Sequence, residues 1–71
     1  MQKEVLTLKE ATTLIFSQSN TVVSEVTKIP YMTVTSWKYR WNRGLLSVEK
    51  QKELVLKFGF KEVAEFRFSI N

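Results

Sequence analysis

The sequence of 71 residues contains no cysteine and no histidine. Without cysteine, no disulfide can staple the fold and no thiolate can hold a metal. Without histidine, a catalytic triad built on imidazole is excluded. A zinc site would have to rest on carboxylates alone, without the nitrogen and sulfur ligands zinc usually takes. Glycine occurs only at 44 and 59, too far apart for a loop that cradles phosphate. The single proline is Pro30. The N-terminus carries no apolar run long enough for a signal peptide or a membrane span, which predicts a cytoplasmic location. With no base to activate a hydroxyl, Thr7 and Ser47 read as helix caps rather than nucleophiles. A domain this small is also not expected to hold a catalytic cleft. The expectation is a protein that is not an enzyme, with no cofactor, no metal and no small-molecule substrate.

What remains is a composition that folds. Hydrophobic residues make up 44% of the chain and aromatics 13%, enough for one modest core in a single domain spanning 1–71. The net charge of +4, from 11 basic and 7 acidic residues, permits an anionic partner without demanding one.

Helix signals recur along the chain. Thr7 and Glu10 form a capping box ahead of Leu8, Ala11, Leu14 and Ile15, which recur at helical spacing and predict a helix over 8–17. Asn20 is a suitable N-cap for a helix over 21–27 that buries Val22, Val23 and Val26. Pro30 bars that helix from continuing and suits the first turn of the next, over 31–41. There Val34, Trp37 and Trp41 share one face. Tyr31, Thr35 and Lys38 lie to one side of it; Met32, Ser36, Tyr39 and Arg43 lie to the other. Ser47 caps a fourth helix over 48–58, which Gly59 ends. The tail is ambiguous: Val63, Phe66 and Ile70 fit a helix, whereas Phe66, Phe68 and Ile70 alternate as in a strand. The reading favoured here is a short helical turn near 61–66, then an extended end.

The stretch NTVVSEVTKIPYMTVTSW, residues 20–37, resembles the helix-turn-helix of phage repressors of the Cro and CI type. Asn20 stands where a polar residue opens the first helix of that pair, and Ser24 where a small residue packs at the helix crossing. Val23 and Ile29 match the flanking apolar positions, and TVTSW at 33–37 matches the core of the recognition helix. Further on, SVEKQKELVLKFGFKEV is similar to the family's next helix and its stop, here Phe58, Gly59 and Phe60. The likeness covers roughly residues 7–66. Within the group the chain looks most like the modulators of repression of temperate lactococcal phages. The resemblance implies an all-α, four- to five-helix, lambda repressor-like domain, to which the tail residues themselves add an extended C-terminal end. It also implies an antirepressor that binds the phage's own CI-type repressor protein in the lysis–lysogeny switch. The other reading within the same family is a Cro-like repressor that binds double-stranded operator DNA as a dimer.

Two departures bear on that choice. Lys28 occupies a turn position usually held by glycine, so it must accept a strained φ or reshape the turn. Pro30, Tyr31 and Met32 replace the polar residues that usually lead the recognition helix. The candidate contact residues are Tyr31, Met32, Thr35, Ser36 and Tyr39, with Lys38, Arg40 and Arg43 as a charged rim. Bidentate base readout favours Arg, Lys, Asn and Gln, none of which is among the first five. Exposed Tyr and Met are enriched at protein interfaces. In WKYRWNR the basic and aromatic residues could stack on single-stranded nucleic acid. The spacing instead sends Trp37 and Trp41 into the core with Val34. The end FRFSI either closes the core or offers a strand edge to a second copy.

Overall fold

Thr7 is where regular helix begins. Its hydroxyl accepts the Glu10 amide at 3.1 Å, and its own amide donates to the Glu10 carboxylate at 2.9 Å. This is the capping box read from the sequence. The computed structural model describes residues 5–70, with the side chain of Ile70 outside the described set. Asn71, the last residue of the predicted extended end, also lies outside it. Strand β1 (Leu6–Thr7) runs into α1 (Leu8–Phe16), followed by α2 (Asn20–Thr27), α3 (Tyr31–Asn42) and α4 (Val48–Phe58). Strands β2 (Phe60–Ala64) and β3 (Arg67–Ile70) complete an antiparallel sheet in the order β1-β3-β2. Four helices plus this small sheet replace the all-α fold expected from the sequence.

The helices start and stop where local chemistry dictates, with one cap reassigned. Ser19, not Asn20, caps α2, its hydroxyl accepting the Val22 amide at 3.2 Å. Asn20 is the first helical residue. Ser47 caps α4 as expected, accepting the Lys50 amide at 3.2 Å. Gly59 ends α4 at φ 121, a value open to glycine and strained for a residue with a Cβ. Pro30 occupies the N-cap of α3 and supplies no side-chain cap.

The turn between α2 and α3 is three residues long. Lys28 takes the left-handed region at φ 65, ψ 15, and its amide closes α2 onto the Ser24 carbonyl at 2.9 Å. Ile29 is buried, so both of its backbone groups need partners. The Ser24 hydroxyl donates to the Ile29 carbonyl at 2.7 Å, and the Ile29 amide donates to the Thr27 hydroxyl at 3.2 Å. Thr27 in turn donates to the Val23 carbonyl at 2.6 Å, which satisfies its buried oxygen.

The core is gathered from every layer: Ala11, Ile15 and Phe16 from α1, Val23 from α2, Val34 from α3, Leu54 and Val55 from α4, and Phe60 and Phe68 from the sheet. Several predicted core positions face outward instead. Leu14, Val22 and Val26 are exposed, because α1 and α2 bury narrower stripes than their apolar content suggested. Phe16 and the hydroxyl-bearing Thr12 and Thr27 are buried in their place.

The tail is a β-hairpin, which corrects the helical turn predicted near 61–66. Ala64 pairs with Arg67 across a turn at Glu65 and Phe66, and Phe66 sits at φ 56. Hairpin turns usually advertise themselves with Asn-Gly or Asp-Gly, and Glu-Phe carries no such signal. Phe66 is instead held by its neighbours. Its amide donates to a Glu62 carboxylate oxygen at 3.1 Å, and the Lys52 ammonium of α4 lies 3.2 Å from that same oxygen and 5.2 Å from the Phe66 ring centroid. Phe68 on the central strand is fully buried beneath the helices, so this end closes the core.

Two stability measurements follow from these contacts. Lys28→Gly is expected to raise unfolding free energy by up to about 1 kcal/mol, because relief at positive φ outweighs the added chain entropy. Lys28→Val is expected to lower it by about 1 kcal/mol or more; urea midpoints report both. The Phe66 amide has the largest effect and lowers the Glu62 pKa; desolvation, next in size, opposes it, and the Lys52 ammonium adds to the lowering. A lowered folded-state pKa gives stability that is complete above the unfolded glutamate value and lost as pH falls through the folded one. Glu62→Gln should therefore be less stable than wild type near neutrality, with the gap closing as acid titrates wild type. A gap that stays constant with pH would count against the Glu62 contacts.

Candidate partner-binding face

Helix α3 is amphipathic in an unusual sense: its outward face is as aromatic as its inward one. The inward stripe is Val34, Trp37 and Trp41. Val34 is fully buried, and both tryptophans are half-buried against the core. The Trp41 ring lies 5.3 Å from Phe16 of α1, tilted by 44°. The Lys50 ammonium of α4 caps the Trp37 ring at 5.5 Å. The basic-aromatic run WKYRWNR therefore divides, with tryptophans inward and Tyr39 and Arg43 outward.

Met32, Ser36, Tyr39 and Arg43 follow one another at spacings of four, three and four, forming the outward stripe. Met32 is 83% exposed and Tyr39 61%. Tyr31, at 52%, flanks Met32 at the head of the helix. Thr35, Ser36, Arg40 and Arg43 are also exposed, whereas Lys38 is half-buried. From Tyr31 to Arg43 the face runs about 18 Å along the helix axis. The structure thus brings Tyr31, Met32, Thr35, Ser36, Tyr39 and Arg43 onto one continuous side. Arg40 and Lys38 sit on its opposite flanks.

Several polar groups on this side are already engaged within the protein. The Thr35 hydroxyl donates to the Tyr31 carbonyl at 3.1 Å and accepts from the Asn20 amide nitrogen at 3.4 Å. Its one donor is in use, and one acceptor lone pair remains. Arg43 lies 5.5 Å from the Tyr39 ring centroid and donates weakly to the Tyr39 hydroxyl at 3.4 Å. Its guanidinium thereby broadens the tyrosine surface.

Asn20 is the residue whose role the sequence concealed. Ser19 and Asn20 are both good caps, and only the backbone geometry decides between them. With Ser19 capping, Asn20 is freed to brace α2 against α3 at Thr35. Its Oδ1 is buried without a hydrogen-bond partner among the described residues. The exposed Val22 and Val26 lie on the opposite side of α2 from Asn20 and Ser24, and so do not extend the α3 face. Among the described residues, no group of acidic side chains could hold a metal ion, and no helix is long and apolar enough to cross a membrane.

Compared with known proteins, the chain matches no family model, no curated protein and no solved structure. The site must be read from its own geometry.

The split of aromatics on α3 is directly measurable. Trp41→Ala should cost about 2 kcal/mol or more in unfolding free energy, whereas Tyr39→Ala should stay within about 0.5 kcal/mol of wild type. Equal costs would mean that the helix is rotated from the orientation described.

Proposed function

We propose that this chain is a phage transcriptional regulator of the modulator-of-repression type, an antirepressor with a helix-turn-helix core. It binds a CI-type repressor through the outward face of α3. The observation that carries this reading is the composition of that face. Tyr31, Met32 and Tyr39 present a large exposed apolar surface where a groove reader needs hydrogen-bond donors. Tyr and Met are residues that protein interfaces enrich, and contiguous apolar surface on a small domain marks an interaction site. Thr35 points the same way, because its hydroxyl already donates to the Tyr31 carbonyl and can donate to a base only by breaking that bond.

The mechanism is occlusion. Apolar side chains at the head of α3 cover the repressor's DNA-reading helix, and Lys38, Arg40 and Arg43 set orientation at the rim. Repressor held in this way leaves its operators. A mixed complex that represses a different promoter would use the same face.

A Cro-like operator-binding dimer is the second reading. Ser36 and Arg40 favour it, being exposed with no side-chain partner among the described residues and able to meet phosphate or base edges. The two readings separate in one set of titrations. The protein alone should not shift operator DNA, and the CI-type repressor of the same phage should bind it. Replacing Tyr31 and Met32 together by Ala should weaken that complex at least tenfold, as expected for interface anchors. Unchanged affinity would remove the proposed face. A DNA shift by the protein alone that weakens steeply with salt, and weakens further in Arg40→Ala, would establish the operator reading instead.

A further inference from the structure

A second feature lies at the other end of α3, away from the Tyr31–Met32 surface. A cleft of about 490 Å³ opens between α1, the last turn of α3, the α3–α4 loop and α4, lined by Lys9, Trp41, Asn42, Gly44, Leu46 and Gln51. No single stretch of the chain marks it, because its walls come from four separate segments. Its volume falls within the range of small-molecule sites. We propose that this cleft binds a small aromatic carboxylic acid: one planar ring with a single carboxylate on a short arm.

The floor is apolar and firm. Leu46 is buried, and the half-buried Trp41 indole is backed from inside by Phe16. Gln51 fixes the loop by donating to the Leu46 carbonyl at 2.9 Å. Gly44 stands at φ 73, and a Cβ there would meet nothing within 4 Å, so the loop leaves that wall open. An indole floor of this kind takes a planar ring by offset stacking.

The rim selects charge. Lys9 is exposed on α1 and forms no ion pair among the described residues. Asn42, exposed and lining the same cleft, makes no side-chain hydrogen bond among them either. One ammonium and one amide suit a monoanion. A phosphate group is a poorer fit, because the loop amides that could cradle it are spent. Gly44 donates to the Trp41 carbonyl at 2.9 Å, and Leu45 donates to the Arg40 carbonyl at 2.8 Å. A wholly apolar ligand would gain nothing from the ammonium, which water already solvates.

The test is a titration of the ¹⁵N-labelled full chain with indole-3-acetate and, in parallel, with its neutral amide. Saturable shifts are expected at the Trp41 indole N–H and at the Gly44 and Leu46 amides, with Trp37 unmoved as an internal control. The neutral amide, and indole-3-acetate with Lys9→Gln, should each bind roughly two- to fivefold more weakly, the factor an exposed ammonium supplies. Because Lys9 is exposed, that variant is expected to keep the wild-type spectrum elsewhere. No shift up to the solubility limit, shifts spread equally over Trp37 and Tyr31, or equal affinity for acid and amide would each overturn the proposal. Repressor binding is a separate property, tested at Tyr31 and Met32, so failure of either leaves the other standing.

Discussion

Ile29 is the residue on which the arrangement turns. It is buried in a three-residue connection that has no secondary structure to satisfy its backbone. Both of its main-chain groups are answered by hydroxyls from α2, Ser24 for the carbonyl and Thr27 for the amide. A buried backbone group left unanswered would cost about 1–3 kcal/mol, a large share of a small domain's stability. These two bonds, with Lys28 held left-handed beside them, fix how α3 leaves α2. That exit angle turns Val34 and the tryptophans inward, and therefore Met32, Ser36 and Tyr39 outward.

The sheet serves the same end from the other side of the molecule. Phe68 on the central strand fills the base of the core, and the β2–β3 hairpin is pinned to α4 through Lys52, Glu62 and Phe66. With the core closed by helices and sheet together, α3 need not be covered on its outer face. Its exposed tyrosines and methionine cannot be explained as core residues lacking a partner element. They are surface residues on a rigid element, the placement that keeps a contact face preorganised.

Much of the helical half was legible in advance. The capping box at Thr7, the Ser47 cap, the Gly59 stop and the Val34–Trp37–Trp41 stripe all follow from short-range chemistry, and all are seen. So is the left-handed Lys28, which the resemblance to a glycine-bearing turn exposed as a point of strain. The hairpin was not legible. Its turn residues, Glu65 and Phe66, carry no turn signal, and the contacts that hold Phe66 come from Lys52 on another element. The α2 cap was misassigned to Asn20 for a different reason, since Ser19 and Asn20 are both good caps and only the backbone geometry at Ser19 decides between them. The cleft beside Trp41 was invisible because no single segment builds it. For the candidate face, the sequence supplied the residues and their stripes. The use of the Thr35 donor within the protein, which bears on protein against DNA, needed coordinates.

The central claim is that the outward side of α3 is a protein contact presented by the α2–α3 turn. Its most direct measurement is an amide-resolved footprint on the ¹⁵N-labelled chain with the DNA-binding domain of the CI-type repressor. The expected result is strong perturbation along Tyr31, Met32, Ser36 and Tyr39, with Phe68 and the β2–β3 hairpin quiet. A footprint centred on the hairpin or on Val22 and Val26, with α3 unperturbed, would contradict it.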